Sequence, residues 1–488
     1  MGQHFSKLKG SKSFIGVLSG GLLALTLPPT NLSFFVFFAL IPLFWFLFKE
    51  AQSWKVAFHV GFLTGFVYLS KTVYPLLSLN AWWWLSVDSV VYENREIMLF
   101  WLLYLGVLAG ALLWGGFSVL VFRLRNITLL LRTIFIAFLF ACMEYLRAKI
   151  VLGFTWGHIG YALHNINPIF ILGGILGLYG LGALIVLINL LFTEVFFGTY
   201  APSLNKKLFI NNLPVQAIIF LGAILVFIIW FNFSRPNIHK GQRQLLIAVI
   251  QPGLSTEGLG KTPGFPYQVL LDKALGNNPD IIVLPENALP LLNINEVTLK
   301  PVLPSYPVAN YFSLTWYQNL LRVSEENPHV MFIFGADTVK NNSAYNSLVV
   351  LKQGRVQHFY NKRFLVPLSE TGLSGLVPVN PLGKGIDGVL NVSGINLEPL
   401  ICSEVIFPNL VSAIPALVVN IGNDSVFSSP TVSKQHLIMA QMRAVETGNY
   451  LVRSMKTGVS AIIDPNGVLV KVSNDAGAQL LVGTVFIK

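Results

Sequence analysis

Apolar residues dominate the first 233 positions in runs of helical length, and the pattern then changes. Seven runs stand out, at 13–29, 32–49, 55–78, 97–122, 128–148, 168–197 and 214–233. A helix needs about 20 apolar residues to span a bilayer. In lipid every backbone polar group must pair within its own segment, so such runs must be helices. The pattern predicts a transmembrane α-helical domain over 1–233 with about seven transmembrane helices. SRPNIHKGQRQ (234–244) reads as a polar linker. From 245 to 488 the runs shorten and alternate with amphipathic stretches, which predicts an α/β domain. Strands are expected at 245–251, 280–286, 329–336, 347–353, 416–422, 459–465 and 468–473. The last two flank Asn466-Gly467, a strong hairpin signal. Residues 433–448 carry apolar positions at helical spacing and end on glycine.

Composition agrees with a membrane chain. Of 488 residues 54% are hydrophobic and 11% charged, with mean hydropathy +0.64, against about 25% charged in an average soluble protein. The net charge of +11 reflects basic residues flanking apolar runs, so no nucleic-acid partner is expected. With the N-terminus in the cytoplasm, the cytoplasmic segments carry Lys7, Lys9, Lys12, Lys49, Lys55, Arg123, Arg125, Arg132, Lys206 and Lys207, against Lys71, Arg95, Arg147 and Lys149 opposite. That bias sets the orientation, and an odd number of spans places residues after 233 outside the cytoplasm. MGQHFS (1–6) fits a myristoylation pattern and Lys7, Lys9 and Lys12 resemble a signal peptide, but the first run reads as a retained helix. Cys142 lies inside an apolar run, so Cys142 and Cys402 do not form a disulfide framework. No zinc-ligand spacing and no phosphate-cradling glycine loop occur, so neither metal nor cofactor is expected.

Three segments carry candidate chemistry. DIIVLPENALP (280–290) places Glu286 after a strand-like run, YNKRFLVPLSE (360–370) carries Lys362 and Glu370, and LEPLICSEVIFP (397–408) carries Cys402 and Glu404. A thiol with an ordinary pKa of about 8.5 is mostly protonated at neutral pH. An ammonium favours the thiolate and a carboxylate can take its proton, so Glu286, Lys362 and Cys402 together can run covalent catalysis. Each has a plainer alternative: a solvated loop acid, a surface amine, a small buried hydrophobe.

In the order of these segments, followed by VVNIGND (418–424) and QMRAVE (441–446), residues 245–485 resemble the nitrilase superfamily. The resemblance implies an αββα sandwich with Glu286 as proton acceptor, Lys362 as thiolate and oxyanion partner, Cys402 as nucleophile, and Glu370 and Glu404 as supporting carboxylates. With MEYLRAKIVLGFTWGHIGY (143–161) in the membrane half, including Glu144, Arg147, Gly153, Phe154, Trp156, Gly160 and Tyr161, the whole chain resembles the apolipoprotein N-acyltransferases of bacterial envelopes. That family implies a multi-pass protein of the bacterial inner membrane with a periplasmic catalytic domain. Its partners would be the bilayer, a phospholipid acyl donor and a diacylglyceryl-apolipoprotein acceptor. Acyl transfer would pass through a Cys402 thioester to the α-amine of the lipoprotein's N-terminal cysteine. The sequence departs from the family at Ser403, where Tyr is common, and at Val426, where an aromatic is common nearby. It has no Trp in the lid segment QPGLSTEGLGKTPGF (251–265), where Gly253, Gly258, Gly260 and Gly264 would be hinges. It closes on LLVGTVFIK (480–488), which reads as a strand where relatives have an eighth membrane helix.

Other features have readings of their own. AWWW (81–84) marks a headgroup belt. Glu144 and Arg147 share a helix face and read as a fold-fixing ion pair or as a membrane-domain site with Trp156. His158 reads as an interfacial loop residue and Glu194 as a group at the cytoplasmic interface. Three other functions stay open: a membrane-anchored carbon–nitrogen hydrolase or amidase, a catalytically divergent lipid-binding scaffold, and a transporter, which the scarcity of central charges disfavours.

Overall fold

The computed structural model describes residues 12–78, 92–150, 154–198, 213–234, 242–253, 265–293, 300–301, 307–340, 343–365, 388–412, 414–475 and 477–487. AWWW (81–84), most of the linker, Gly258, Gly260 and Gly264, and Glu370 lie outside these residues. The chain divides into two compact units, Met1–Leu77 with Glu96–Pro236 and Ser78–Arg95 with Asn237–Lys488.

The first unit is helical: α1 (Lys12–Ala24), α2 (Ile41–Lys49), α3 (Trp54–Val73), α4 (Tyr92–Arg123), α5 (Leu129–Ile150), α6 (Gly173–Phe197) and α7 (Leu213–Phe233). Among the described residues five stretches are long and apolar enough to cross a membrane: Trp54–Ser78, Phe100–Asn126, Leu129–Ile150, Gly173–Phe197 and Pro214–Phe233. The first two expected spans are shorter helices. α1 stops at Ala24, ahead of Pro28 and Pro29, because proline lacks a donor and disfavours helix in the residue before it. The 32–49 run is broken into a 3-10 turn over Ser33–Phe37 and then α2, with Pro42 in its first turn. The sixth run bends as well, since Gly177 leaves the helix with φ 64° and ψ 178°.

The break before α2 frees backbone groups that lipid cannot satisfy, and buried side chains take them up. Asn189 of α6 donates Nδ2 to Val36 O at 2.8 Å and accepts from Leu40 N at 2.9 Å, bridging the break before α2. Ser19 of α1 accepts from Leu43 N at 3.1 Å. Close helix contact rests on small residues four apart. A Cβ at Gly16 would lie 2.6 Å from Val60 O and one at Gly20 2.5 Å from Thr64 O, so α1 lies directly on α3. Gly61 and Gly65 accept Ser118 and Trp114 of α4 in the same way. Glu194, expected at the interface, is instead fully buried and paired with Arg132. Arg132 also donates to Arg125 O at 3.1 Å and lies 4.3 Å from the centre of the Phe48 ring. Two opposite charges on facing helices can leave water together where neither could alone.

The second unit is layered. One sheet holds β1 (Arg243–Gln251), β2 (Ile281–Val283), β3 (Leu289–Asn293), β4 (Lys300–Pro301), β5 (Met331–Lys340), β6 (Ser343–Lys352), β7 (Arg355–Asn361) and β14 (Gln479–Ile487). The other runs β13-β12-β11-β10-β9-β8, comprising β8 (Leu390–Val392), β9 (Ile395–Ile401), β10 (Leu417–Gly422), β11 (Leu451–Met455), β12 (Ala461–Ile463) and β13 (Leu469–Val472). Ile247, Val283 and Ile333 of the first sheet meet Ile401, Val419 and Val452 of the second in one apolar core. On the other face of the first sheet lie α8 (Phe265–Leu275) and α9 (Pro307–Glu326), through Leu271, Trp316 and Leu320. α10 (Pro430–Thr447) packs on β11. The order is helix, sheet, sheet, helix.

The hairpin at Asn466-Gly467 joins β12 to β13, with Gly467 at φ 77°. The 433–448 helix is α10, stopped by Gly448 at φ 64°. LLVGTVFIK enters β14, antiparallel to β1. The expected strands did not include β3, β4, β7, β8, β9 or β11. Of these β3, β4 and β8 are short, and β11 carries Arg453 in the middle of its apolar run.

The stitch at the α2 break is testable. Asn189→Leu leaves Val36 C=O and Leu40 N–H buried without that partner, at about 1–3 kcal/mol for each unsatisfied group. The purified chain in detergent should unfold at a clearly lower temperature than wild type. An unchanged Tm would show that the break does not depend on this side chain.

Candidate active site

β1, β2 and β5 run parallel in one sheet and β9, β10 and β11 in the other. Ligand sites of open α/β sheets lie beyond the carboxyl ends of parallel strands, and the candidate residues follow such ends. β9 pairs with β10 up to Ile401 opposite Ile421, and Cys402 follows at φ +50°. A left-handed backbone at a residue other than glycine costs of order 1–3 kcal/mol and persists only where the surroundings hold it. The following 3-10 turn, Cys402–Ile406, does this through Glu404. Its carboxylate accepts from Ile401 N at 2.8 Å, Arg363 N at 2.6 Å, Phe364 N at 3.2 Å and the Tyr360 hydroxyl at 2.9 Å. Glu404 thus ties the segment around Lys362 to the turn around Cys402. Burial pushes its pKa up, against the donors and Lys362, which favour the anion.

Glu286 is set by an irregularity. β2 and β3 lie in succession along the same side of β5, and Leu284–Asn287 bulges between them. Gly335 N donates to Pro285 O at 3.0 Å, and a Cβ on Gly335 would sit 2.5 Å from Glu286 Cα and 2.8 Å from Asn287 N. Glu286 Oε1 accepts from Asn346 Nδ2 at 2.6 Å, and Asn346 O accepts from Lys362 N at 2.8 Å. Lys362 Nζ lies 3.8 Å from Glu286 Oε1, and both side chains are buried. One asparagine therefore fixes the carboxylate and the backbone of the lysine together.

Behind Cys402 lies a cluster that sequence reasoning missed. Arg453 is fully buried on β11 and reaches Asn420, Asp424 and His436. Burial works to raise the Asp424 pKa, but His436 and Arg453 outweigh it and hold the carboxyl below its ordinary value. Burial, then the Arg453 charge, lowers the His436 pKa, against Asp424, which raises it. Burial also pulls the Arg453 pKa down, opposed by Asp424, Cys402 and Glu286, whose charges it feels. The one signal in the sequence was an arginine at the centre of an apolar strand.

The remaining candidates are placed as follows. Glu370 lies outside the described residues. In the helical unit Arg147 Nε donates to Glu144 Oε1 at 3.1 Å and Nη1 to Trp156 O at 3.0 Å, while Nη2 lies 2.6 Å from His158 Nδ1. Glu144 Oε2 accepts from Ile159 N at 3.3 Å, and Trp156 stacks on Phe154. This pair satisfies the backbone of the non-helical stretch after α5. His158, expected at an interface, is buried within it. Among the described residues no cluster of His, Cys, Asp and Glu has metal-binding geometry.

Residues 254–486 match the carbon-nitrogen hydrolase family, which makes the second unit a carbon–nitrogen hydrolase domain in a chain that also holds a set of apolar helices. Residues 19–191 match the apolipoprotein N-acyltransferase N-terminal domain. The chain belongs to the apolipoprotein N-acyltransferase family. The apolipoprotein N-acyltransferase of Geobacter metallireducens is 28% identical over 93% of this chain and 85% of that one. That of Coxiella burnetii is 27% identical over 97% and 93%. Among solved structures, yeast Nit3 of the nitrilase superfamily aligns with 52% of this chain and 93% of its own, at 17% identity and a TM-score of 0.36.

Gly335→Ala places a methyl group against backbone on the Glu286 bulge, which has no flexible side chain to yield. A displacement of about 1 Å at a reacting group costs about 10²-fold in rate. Any reaction that uses Glu286 should slow by that order while the protein stays folded, as initial rates would show. A wild-type rate in Gly335→Ala would show that the bulge tolerates the shift.

Proposed function

We propose that this protein moves an acyl chain from a phospholipid to the α-amine of a lipoprotein's N-terminal S-diacylglyceryl-cysteine, with Cys402 as the covalent carrier. The observation that carries this reading is the buried Glu286–Lys362 pair, with Cys402 in a left-handed turn at the end of a parallel strand. Family membership of both halves supports the choice of substrates.

Glu286 takes the Cys402 proton as sulfur attacks the ester carbonyl of the donor. Lys362 stabilises the thiolate and then the oxyanion of the tetrahedral intermediate. Collapse breaks the C–O bond. The leaving alkoxide takes the proton back from Glu286 and departs as lysophospholipid, leaving a thioester. The lipoprotein amine then attacks that carbonyl, Glu286 receives the amine's proton, and the C–S bond breaks. The thiol is restored as the amide leaves. Glu404 holds the Lys362 segment against the Cys402 turn. Glu370 is a further supporting carboxylate, and Glu144, Arg147 and Trp156 shape the helical unit from which lipid reaches the site. The protein resides in the bacterial inner membrane with its catalytic domain on the periplasmic side, a reading supported by the basic-residue asymmetry.

Purified protein mixed with phospholipid should gain the mass of one acyl chain and lose it when a diacylglyceryl-cysteine peptide is added. Cys402→Ala should gain none. Glu286→Gln should acylate roughly 10²–10⁴-fold more slowly and Lys362→Ala about 10²–10³-fold more slowly. A Cys402→Ala protein that still yields triacylated peptide would sink this mechanism. Loss of the adduct to water alone, with the peptide unreacted, would mark a hydrolase.

Reporter fusions after Arg125, Lys207 and Lys340 test the topology. The first two should report cytoplasm and the third periplasm. A cytoplasmic signal at Lys340 would reverse the orientation.

A further inference from the structure

The polar cluster behind Cys402 is larger than a nucleophile, a base and an amine require. Arg453 Nε donates to Val459 O at 3.2 Å and Nη1 donates to Asn420 Oδ1. Its Nη2 lies 3.5 Å from Asp424 Oδ2 and 2.9 Å from His436 Nδ1. Asn420 passes the contact on, donating Nδ2 to Leu400 O at 3.1 Å and to Cys402 O at 3.5 Å. The backbone of Cys402 also acts electrostatically on the His436 ring. Two partners of one guanidinium therefore converge on the residue whose backbone is held at φ +50°. Burying an arginine in a strand is costly, and apolar residues of similar volume often serve stability as well or better. Fold stability alone does not explain this arginine.

We propose that Arg453 is a positioning residue for the nucleophile: through Asn420 and His436 it holds the Cys402 turn, and its charge favours the thiolate, with Asp424 setting how much of that charge the sulfur feels. The proposal rests on Cys402 as nucleophile. Among the described residues the other charged or titratable groups of the site are Glu286 after β2, Lys362 after β7, Glu404 in the turn after β9, His436 on α10 and Lys456 after β11. Each stays in place in the variants below, so a change in the thiol's titration reports the Arg453–Asp424 pair.

The test uses the full chain in detergent with Cys142→Ser. Cys142 is exposed on α5 in the helical unit, and its removal leaves Cys402 as the one thiol of a chain that has two cysteines. The rate of alkylation by iodoacetamide, followed against pH, gives the midpoint at which the sulfur ionises. Arg453→Gln should raise that midpoint by about one unit or more, the usual effect of removing an opposite charge. Arg453→Lys, which keeps the charge, should leave it within a few tenths. Asp424→Asn removes the anion that offsets Arg453 and should lower it. General loosening of the site cannot move the two charge variants in opposite directions. An unchanged midpoint in Arg453→Gln, or a rise in both variants, overturns the proposal. Should Arg453→Gln fail to fold, Asp424→Asn decides alone, and a midpoint that stays or rises there overturns it. Alkylation needs no acyl donor, so this result is independent of whether Cys402→Ala abolishes acyl transfer.

Discussion

A charge removed from water must meet its opposite, and both units of this protein are organised around that requirement. Each buried ion costs several kcal/mol to desolvate. A pair at the 3.8 Å separation of Lys362 and Glu286 recovers about 4 kcal/mol at an effective dielectric constant of about 20. Such a pair roughly breaks even, so it adds little net stability. Removing one partner strands the other, at about 3–5 kcal/mol. Glu286–Lys362, Arg453–Asp424, Arg132–Glu194 and Glu144–Arg147 are all buried.

In the catalytic unit the pairing is also what makes chemistry available. The three residues of the proposed triad come from segments separated by 76 and 40 positions, as 362 − 286 and 402 − 362 give. Nothing local brings them together. The apolar core between the two sheets fixes the strand ends, the bulge at Leu284–Asn287 aims the carboxylate, and Asn346 and Glu404 hold the lysine segment from either side. The left-handed turn at Cys402 is the cost of presenting a thiol at a strand end, and the buried polar groups around it keep it from relaxing.

The helical unit applies the same rule to uncharged groups. Its helices are interrupted before α2 and after α5, where free peptide groups would be intolerable in hydrocarbon. Asn189, Ser19, Glu144 and Arg147 answer those groups from neighbouring helices or turns. Glycines four apart let the backbones approach closely enough for this to work. These four side chains therefore mark where helices break.

The sequence by itself determined the division into an apolar helical half and an α/β half, the late hairpin, the stop of α10, and the residue types able to run thioester chemistry. These follow from periodicity, turn chemistry and motif order, all short-range in the chain. It also showed that Glu144 and Arg147 share a face. The tertiary structure alone decided that two of the seven apolar runs are short helices, because prolines act through hydrogen bonds their neighbours must replace. It decided that Glu194 is buried against Arg132 and that Glu404 bonds across to the Lys362 segment. It also revealed Asn346, Asn420, Asp424, His436 and Arg453 as one polar setting for the site. A side chain's partner depends on which strands and helices lie side by side, and contacts between residues distant in sequence leave no period to read.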